Sequence, residues 1–177
     1  MLAAQSLQVL KKGMVICMKF MIKHNKLQIV IEAIALIILI SMFVLLIVRW
    51  SDLPDRIPGH YNAAGEVDRW GGKGELIFLP VMSVLMYLLL TVVTFFPSSW
   101  NMPVEVTEEK RDRVYSCVLT LLVLMKAEVM ALFAYLNYKS MEAQALSPFM
   151  LPIVLAAIFG TIIFFTRRSI KLAKTGD

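Results

Sequence analysis

Four long apolar runs decide what this chain can fold into. They cover about residues 27–49, 76–96, 114–137 and 148–166. Each is close to the length of ~20 apolar residues that a transmembrane helix needs. Hydrophobic residues make up 59% of the 177 positions, above the roughly 45–50% of a typical soluble domain. The sequence therefore predicts an all-α integral membrane protein with four transmembrane helices and no second globular domain.

Lysine and arginine are distributed unequally around these runs. Five precede the first run, three lie in the 97–113 connector and four follow the last run, whereas the segments on the other side carry five. The positive-inside rule then places both termini in the cytoplasm and the 50–75 loop on the outer face of the cell membrane. The chain divides into a basic cytoplasmic segment (1–26), a membrane domain (27–166) and a basic cytoplasmic tail (167–177).

The amino-terminal segment leaves the start of translation open. Four methionines precede the first apolar run, namely Met1, Met14, Met18 and Met21. The run that follows is too long for a typical signal-peptide core, so we expect it to remain as a signal anchor. The intact mass of the native protein would identify the initiator.

Composition argues against several function classes. The basic residues cluster at predicted membrane edges and do not alternate with aromatic residues, so we expect no nucleic-acid partner. Cys17 and Cys117 both fall on the predicted cytoplasmic side, where a structural disulfide is not expected. No Cys-x-x-Cys pair or Cys/His cluster exists to bind zinc. We therefore expect neither a metal nor a cofactor.

The 50–75 loop is polar and rich in turn-forming residues. Its segment Ala63-Ala64-Gly65 predicts a hairpin turn in which Gly65 takes the left-handed position. The resulting register gives three facing pairs: Asn62 with Glu66, Tyr61 with Val67, and His60 with Asp68. We therefore expect an extracytoplasmic, β-hairpin-like loop between the first two transmembrane helices.

His60, Asn62 and Asp68 would form the polar centre of this loop. An adjacent carboxylate favours the charged form of a histidine, so the pair could sense external pH, orient a ligand or hold a cation. The alternative is that the pair only pins the hairpin. A catalytic role is the weakest interpretation, because no nucleophile or second histidine completes a site. One histidine with carboxylates is also a poor zinc site.

Three charges fall inside the apolar runs: Glu32, Lys126 and Glu128. Near the bilayer centre such a charge costs roughly 2.5–3.5 kcal/mol on an insertion scale. Lys126 and Glu128 lie on nearly opposite helix faces, so each needs a partner on another helix, a second subunit or water. The structural alternative is an ion pair such as Lys126 with Glu32, and the functional alternative is a transport pathway.

The second run also carries a polar face. Its hydroxyl residues fall at helical spacing, which predicts that they share one side of the helix and point into the bundle. These residues are Ser83, Tyr87, Thr91 and Thr94. They would form either hydrogen bonds between helices or one wall of a hydrated pocket.

The loop resembles a bacterial membrane-domain family of unknown function that also forms the N-terminal part of SdpI-type immunity proteins. The resemblance covers about residues 30–95 and rests on the motif Leu53-Pro54-x-x-Ile57-Pro58-x-His60-x-Asn62-x-x-Gly65-x-x-Asp68, followed by Lys73. Those immunity proteins protect cells from a self-made toxin and can sequester a repressor at the membrane. The resemblance marks five residues for ligand recognition: His60, Asn62, Gly65, Asp68 and Lys73.

Two functional hypotheses follow. The first is a non-enzymatic immunity or envelope-sensing protein, whose partners would be a peptide toxin outside and a regulator in the cytoplasm. The second is a small transporter, or transporter subunit, that uses Glu32, Lys126 and Glu128. Both place the protein in the lipid bilayer, and the charges of the third run make self-association a further expectation.

Overall fold

A computed structural model describes residues 24–102 and 104–174. Its helices are α1 (Lys26–Arg49), α2 (Phe78–Thr94), α3 (Arg111–Met141) and α4 (Met150–Lys174), and its strands are β1 (Arg56–Tyr61) and β2 (Val67–Gly72). Short 3₁₀ turns precede α2 and α3 and follow α2. The expectations for the initiator methionines, Cys17 and nearly all of the basic segment 1–26 lie outside the described residues.

Four helices, together with the 3₁₀ turns that lead into α2 and α3, are long and apolar enough to cross a membrane. The predicted helical architecture, with a two-stranded hairpin between the first two helices, is confirmed at this level. α3 exceeds the predicted span 114–137 at both ends, and α4 continues past residue 166. The reason is that an apolar run marks only the part of a helix suited to lipid. The 31 residues of α3 extend roughly 46 Å, well beyond a hydrocarbon core of ~30 Å.

α3 is the central helix of the bundle, since it packs against α1, α2 and α4. Its Met130 is fully buried against Ala35 and Leu39 of α1. The antiparallel order puts the hairpin at one end, which we call the hairpin end. The start of α1 and the end of α4 lie at the other, which we call the tail end. Most apolar side chains of α1 and α4 face outward, as expected for helices surrounded by lipid.

The tail end is fastened by a polar contact that the sequence analysis missed. Asn25 caps α1 in a capping box with Gln28, whose backbone N–H donates to the Asn25 side chain at 2.9 Å. The Gln28 amide then donates to Thr120 Oγ1 at 2.8 Å and to the Ser116 carbonyl at 3.0 Å. The first turn of α1 is therefore held against α3.

The hairpin rests on the helix ends through a separate apolar cluster. Its buried members are Leu46, Leu53, Ile57, Leu76 and Met141. The Tyr61 hydroxyl also donates to the Gln144 carbonyl at 3.1 Å, and the Leu146 N–H donates to the Gly65 carbonyl at 2.8 Å. The hairpin is therefore part of the folded body and is not a free loop.

The hairpin turn forms as predicted, with one correction to the register. Gly65 has φ of +85°, and the predicted pairs of Asn62 with Glu66 and of Tyr61 with Val67 are present. His60, however, pairs with Arg69 and not with Asp68. Irregularities on both sides of His60 leave Gly59 and Asp68 without cross-strand partners, and such bulges shift a register by one residue.

Candidate functional site

A cavity with a volume of about 670 Å³ lies at the hairpin end. We call it the hairpin cavity. Strand β1, the start of α2 and the facing ends of α3 and α4 enclose it. Its wall is largely apolar and includes Ile57, Leu76, Phe78, Leu79, Leu136, Leu146, Met150 and Leu151. Its polar lining comes from His60, Asn62, Arg69, Glu75, Asn137, Ser140 and Ser147. A large apolar pocket with a few convergent polar groups is the usual form of a ligand site.

Two buried polar residues of α3 form the floor of this cavity. Asn137 is 2% exposed, and its amide donates to the Leu76 carbonyl at 2.9 Å. Ser140 is also buried, and its hydroxyl donates to the Pro58 carbonyl. Because Asn137 binds the backbone of the 3₁₀ turn before α2 and Ser140 binds the backbone of β1, α3 fixes the separation of these two walls. The sequence signal for this pair was two polar residues three apart in an apolar helix.

The predicted contact between His60 and Asp68 is present despite the register correction. His60 Nδ1 lies 2.7 Å from Asp68 Oδ1, and both side chains are exposed. The bulge around Asp68 therefore brings its side chain to the side on which His60 lies. Because exposed ion pairs contribute only ~0–1 kcal/mol, this contact adds little to stability. His60 lines the hairpin cavity, whereas Asp68 is not among the lining residues.

Asn62 is used mainly by the turn. Its side-chain oxygen accepts from the backbone N–H groups of Ala64 at 2.9 Å and Glu66 at 3.0 Å. Its amide donates to the Glu66 carboxylate at 3.0 Å. This Asx-type turn fixes the loop geometry next to the cavity. Lys73 lies elsewhere, 5.6 Å from the centre of the Trp50 ring and 3.9 Å from the Asp55 carboxylate.

An ion pair that the sequence analysis missed closes one edge of the cavity. Arg69 Nη2 lies 2.8 Å from Glu75 Oε2 and donates to the Gly59 carbonyl at 2.8 Å, while Nη1 donates to Glu75 Oε1 at 3.2 Å. The hydrogen bond with Glu75 raises the pKa of Arg69 above its ordinary value. A Cβ at Gly71 would displace the Glu75 carboxylate. The contact between Arg69 and Glu75 could not be predicted from residue spacing, because the two residues lie in different elements, β2 and the 3₁₀ turn that follows it.

Lys126, in the middle of α3, is 0% exposed, and its ammonium group has several partners. Its Nζ lies 2.7 Å from Glu32 Oε1, donates to Thr91 Oγ1 at 2.8 Å and sits 4.7 Å from the centre of the Tyr87 ring. The Tyr87 hydroxyl donates to Glu32 Oε2 at 3.3 Å. We call Glu32, Tyr87, Thr91 and Lys126 the buried charge cluster. The predicted pair of Lys126 with Glu32 is confirmed, and the cluster joins α1, α2 and α3.

The other predicted hydroxyl residues of α2 also point inward. Ser83 and Thr94 are buried. The Ser83 hydroxyl donates to the Leu79 carbonyl at 2.8 Å, and the Thr94 hydroxyl donates to the Thr91 carbonyl at 2.6 Å. Both bonds lie within α2, so the predicted hydrogen bonds between helices come from Tyr87 and Thr91 in the buried charge cluster.

Glu128 lies on the opposite side of α3, facing α4. Its Oε1 accepts a hydrogen bond from the Thr161 hydroxyl at 2.6 Å. Its Oε2 is buried and has no hydrogen-bond partner among the residues that the structure describes. Glu128 lies at the inner end of a surface groove of about 420 Å³ between the two helices, which we call the α3–α4 groove. As predicted, Lys126 and Glu128 do not pair with each other.

Within residues 24–102 and 104–174, no three His, Cys, Asp or Glu side chains are grouped so that they could hold a metal ion. The chemistry of the hairpin cavity is therefore that of its apolar wall, its amides and hydroxyls, and its paired charges.

Comparisons with known proteins point to the hairpin segment. A family described as a domain of unknown function (DUF1648) matches residues 37–84, which include the second half of α1, the hairpin and the start of α2. An uncharacterized protein of Archaeoglobus fulgidus is 28% identical over 99 residues, covering 46% of this chain and 54% of that protein. The chain thus spans about half the length of this relative. No solved structure matches. Part of the chain is therefore similar to a domain whose function is unknown, and that part includes all five motif residues. Three of them, His60, Asn62 and Gly65, line the cavity.

Proposed function

We propose that this chain is a non-enzymatic membrane protein of immunity or envelope sensing, and that the hairpin cavity is its recognition site. The hairpin end would lie on the outer face, and the basic tail end in the cytoplasm. The observation that carries this proposal is the cavity itself. Its volume of about 670 Å³ falls within the usual range for ligand sites, ~300–1,000 Å³.

The lining of the cavity supports an amphipathic ligand. Most of the wall is apolar, while amide, hydroxyl and charged groups lie at the floor and rim. Such a surface matches a ligand that has both apolar and polar parts, as membrane-active molecules do. The wall includes the motif residues His60, Asn62 and Gly65, so the segment similar to the known domain also builds the proposed site.

In this proposal, α3 connects the recognition site to the cytoplasmic end of the protein. α3 runs from the cavity floor to the tail end, where α4 carries exposed Arg167 and Arg168. The Lys110 ammonium donates to the Ala173 carbonyl at 3.1 Å and joins the ends of the two helices. A cytoplasmic regulator with an acidic surface would suit these exposed cations.

Filling the cavity tests the proposal. We expect Leu79→Trp, in the cavity wall, to abolish the protection that the wild-type protein gives cells against a membrane-active challenge. Two challenges are used: an amphipathic Leu/Lys peptide of about 20 residues, long enough to span the bilayer core, and lysophosphatidylcholine. The matched control is Leu88→Trp, which places the same side chain on an exposed face of α2. Equal protection by both variants would contradict the proposal.

The motif pair gives a second prediction. We expect His60→Ala and Asp68→Ala to reduce protection while lowering the free energy of unfolding by less than about 1 kcal/mol, because the pair is exposed. Cell survival and thermal unfolding in detergent measure the two effects. Full protection by both variants would assign the pair to hairpin structure alone.

The alternative function is transport, and the observation that favours it is the buried charge cluster. Intramembrane charges often mark ion or substrate pathways. Here, however, the Lys126 ammonium has a carboxylate, a hydroxyl and an aromatic ring as neighbours, which supports a structural role. Flux of ions or peptides into proteoliposomes containing the wild-type protein distinguishes the two functions.

A further inference from the structure

The hairpin cavity continues into the α3–α4 groove. Ser147 and Met150 line both spaces. From Met150 the groove follows α4 to Ile158, a distance of about 12 Å at the helical rise. The two spaces therefore adjoin at Ser147 and Met150, and together they extend from the hairpin along the apolar side chains of α3 and α4.

The length and lining of the groove indicate its occupant. Along ~12 Å of α4 the groove is bordered mostly by apolar side chains. An extended hydrocarbon chain suits such a groove, because it needs no hydrogen-bond partner there.

The α3–α4 groove is lined mostly by apolar side chains, except at its inner end, where Glu128 lies. Leu132, Ile153, Val154 and Ala157 are among the residues that line it. Glu128 lies at the end of this path; its Oε1 accepts a hydrogen bond from Thr161, and its Oε2 has no partner among the described residues. A hydrocarbon chain is thus stabilised along the groove as far as Glu128, where contact with the carboxylate becomes unfavourable.

The rim of the hairpin cavity indicates the charge of the polar part of the ligand. Arg69 is paired with Glu75 at 2.8 Å, and His60 is paired with Asp68 at 2.7 Å. No other charged residue is among those that line the cavity. An anionic group would have to displace a carboxylate from Arg69, so the rim favours a head group with no net charge.

Side chains around this path show how a ligand would reach it. Phe78 and Ile153 border the two spaces, and each is 64% exposed. Exposed apolar residues of this kind face lipid in a membrane-spanning bundle. The opening is therefore reached laterally, from within the bilayer.

We propose that the hairpin cavity and the α3–α4 groove together bind one single-chain lipid. Its uncharged or zwitterionic head lies at the hairpin, and its hydrocarbon chain lies in the groove. This inference rests on the proposed recognition role of the hairpin cavity, and it names the class of ligand.

The test uses lysophosphatidylcholine with a photoactivatable group in its chain, added to the full-length protein in amphipol. We expect saturable crosslinking that maps by mass spectrometry to the α3–α4 groove. Ala157→Trp, in the groove, should weaken this binding about tenfold, which corresponds to ~1.4 kcal/mol. Ala156→Trp, on the same exposed helix but outside the groove lining, should leave binding unchanged. Equal crosslinking of the two variants would overturn the proposal.

Competition identifies the parts of the ligand that matter. We expect unlabelled lysophosphatidylcholine to compete, phosphocholine without a chain not to compete, and lysophosphatidylglycerol to compete about tenfold more weakly. Crosslinking that does not saturate, or that spreads evenly over the exposed face of α1, would show only general lipid contact and would overturn the site. If the Leu/Lys peptide alone occupies the hairpin cavity, the lipid assignment is wrong while the recognition role stands. If neither peptide nor lipid binds and Leu79→Trp still protects cells, both proposals are wrong.

Discussion

Replacing Lys126 with methionine is expected to lower the free energy of unfolding by about 3 kcal/mol, because it leaves the partly buried Glu32 carboxylate without its cation. Lys126 is fully buried, and the two charged atoms are 2.7 Å apart. Methionine keeps most of the length of the lysine side chain, so the loss of charge dominates the effect. Reversible unfolding of the purified protein in detergent, followed by tryptophan fluorescence, measures the change.

Two controls make this prediction specific to the ion pair. Lys139→Met alters the same helix, where the lysine contacts the exposed side chain of Gln144 at 2.8 Å, and should change stability by less than about 1 kcal/mol. The double variant Glu32→Gln with Lys126→Met should recover much of the lost stability, since removing both charges of a buried pair is often neutral or stabilising. A double variant as unstable as Lys126→Met would show that the charge left behind is not the cause.

Gly65→Ala is expected to lower stability by about 2–3 kcal/mol and to release the hairpin from the helix ends. A residue with a Cβ at positive φ loses about 1–2 kcal/mol, and Gly65 has φ of +85°. The added Cβ would also lie 2.8 Å from the Leu146 carbonyl oxygen. That contact would weaken the hydrogen bond from the Leu146 N–H to the Gly65 carbonyl, which contributes a further ~0.5–1.5 kcal/mol.

Hydrogen exchange measures this release, because the Leu146 amide should lose protection in Gly65→Ala. The matched control is Gly74→Ala, where an added Cβ would meet no atom within 4 Å and φ is not positive. Protection of Leu146 in Gly65→Ala equal to that in the control would contradict the role assigned to the turn.

Local patterns in the sequence were enough to predict the four helices and the hairpin turn. The four apolar runs fix the helices because lipid permits few other structures, and Gly65 marks its turn because few other residues adopt positive φ readily. The inward hydroxyl face of α2 also follows from helical spacing. The pair of Lys126 with Glu32 could be expected as well, since a buried cation in an apolar bundle has few available counterions.

The parts of the site that the sequence did not reveal depend on distant contacts. The bulge that moves His60 opposite Arg69 lies next to the contact of Arg69 with Glu75, which forms only when the 3₁₀ turn before α2 folds back beside β2. The role of Asn137 and Ser140 could not be predicted, because their side chains bind backbone carbonyl groups that lie far away in the sequence. The hairpin cavity likewise requires α4, which the hairpin motif does not include.

The buried charge cluster has a consequence for how the protein enters a membrane. Helices are synthesised in chain order, so Glu32 of α1 arrives before Lys126 of α3. During that interval the cluster offers Glu32 only the Tyr87 hydroxyl, from α2. A fragment ending after α2 therefore holds a carboxylate without its cation. In the membrane arrangement proposed above, we therefore expect stable insertion of the first two helices to depend on the arrival of the third, so that biogenesis is cooperative across the chain.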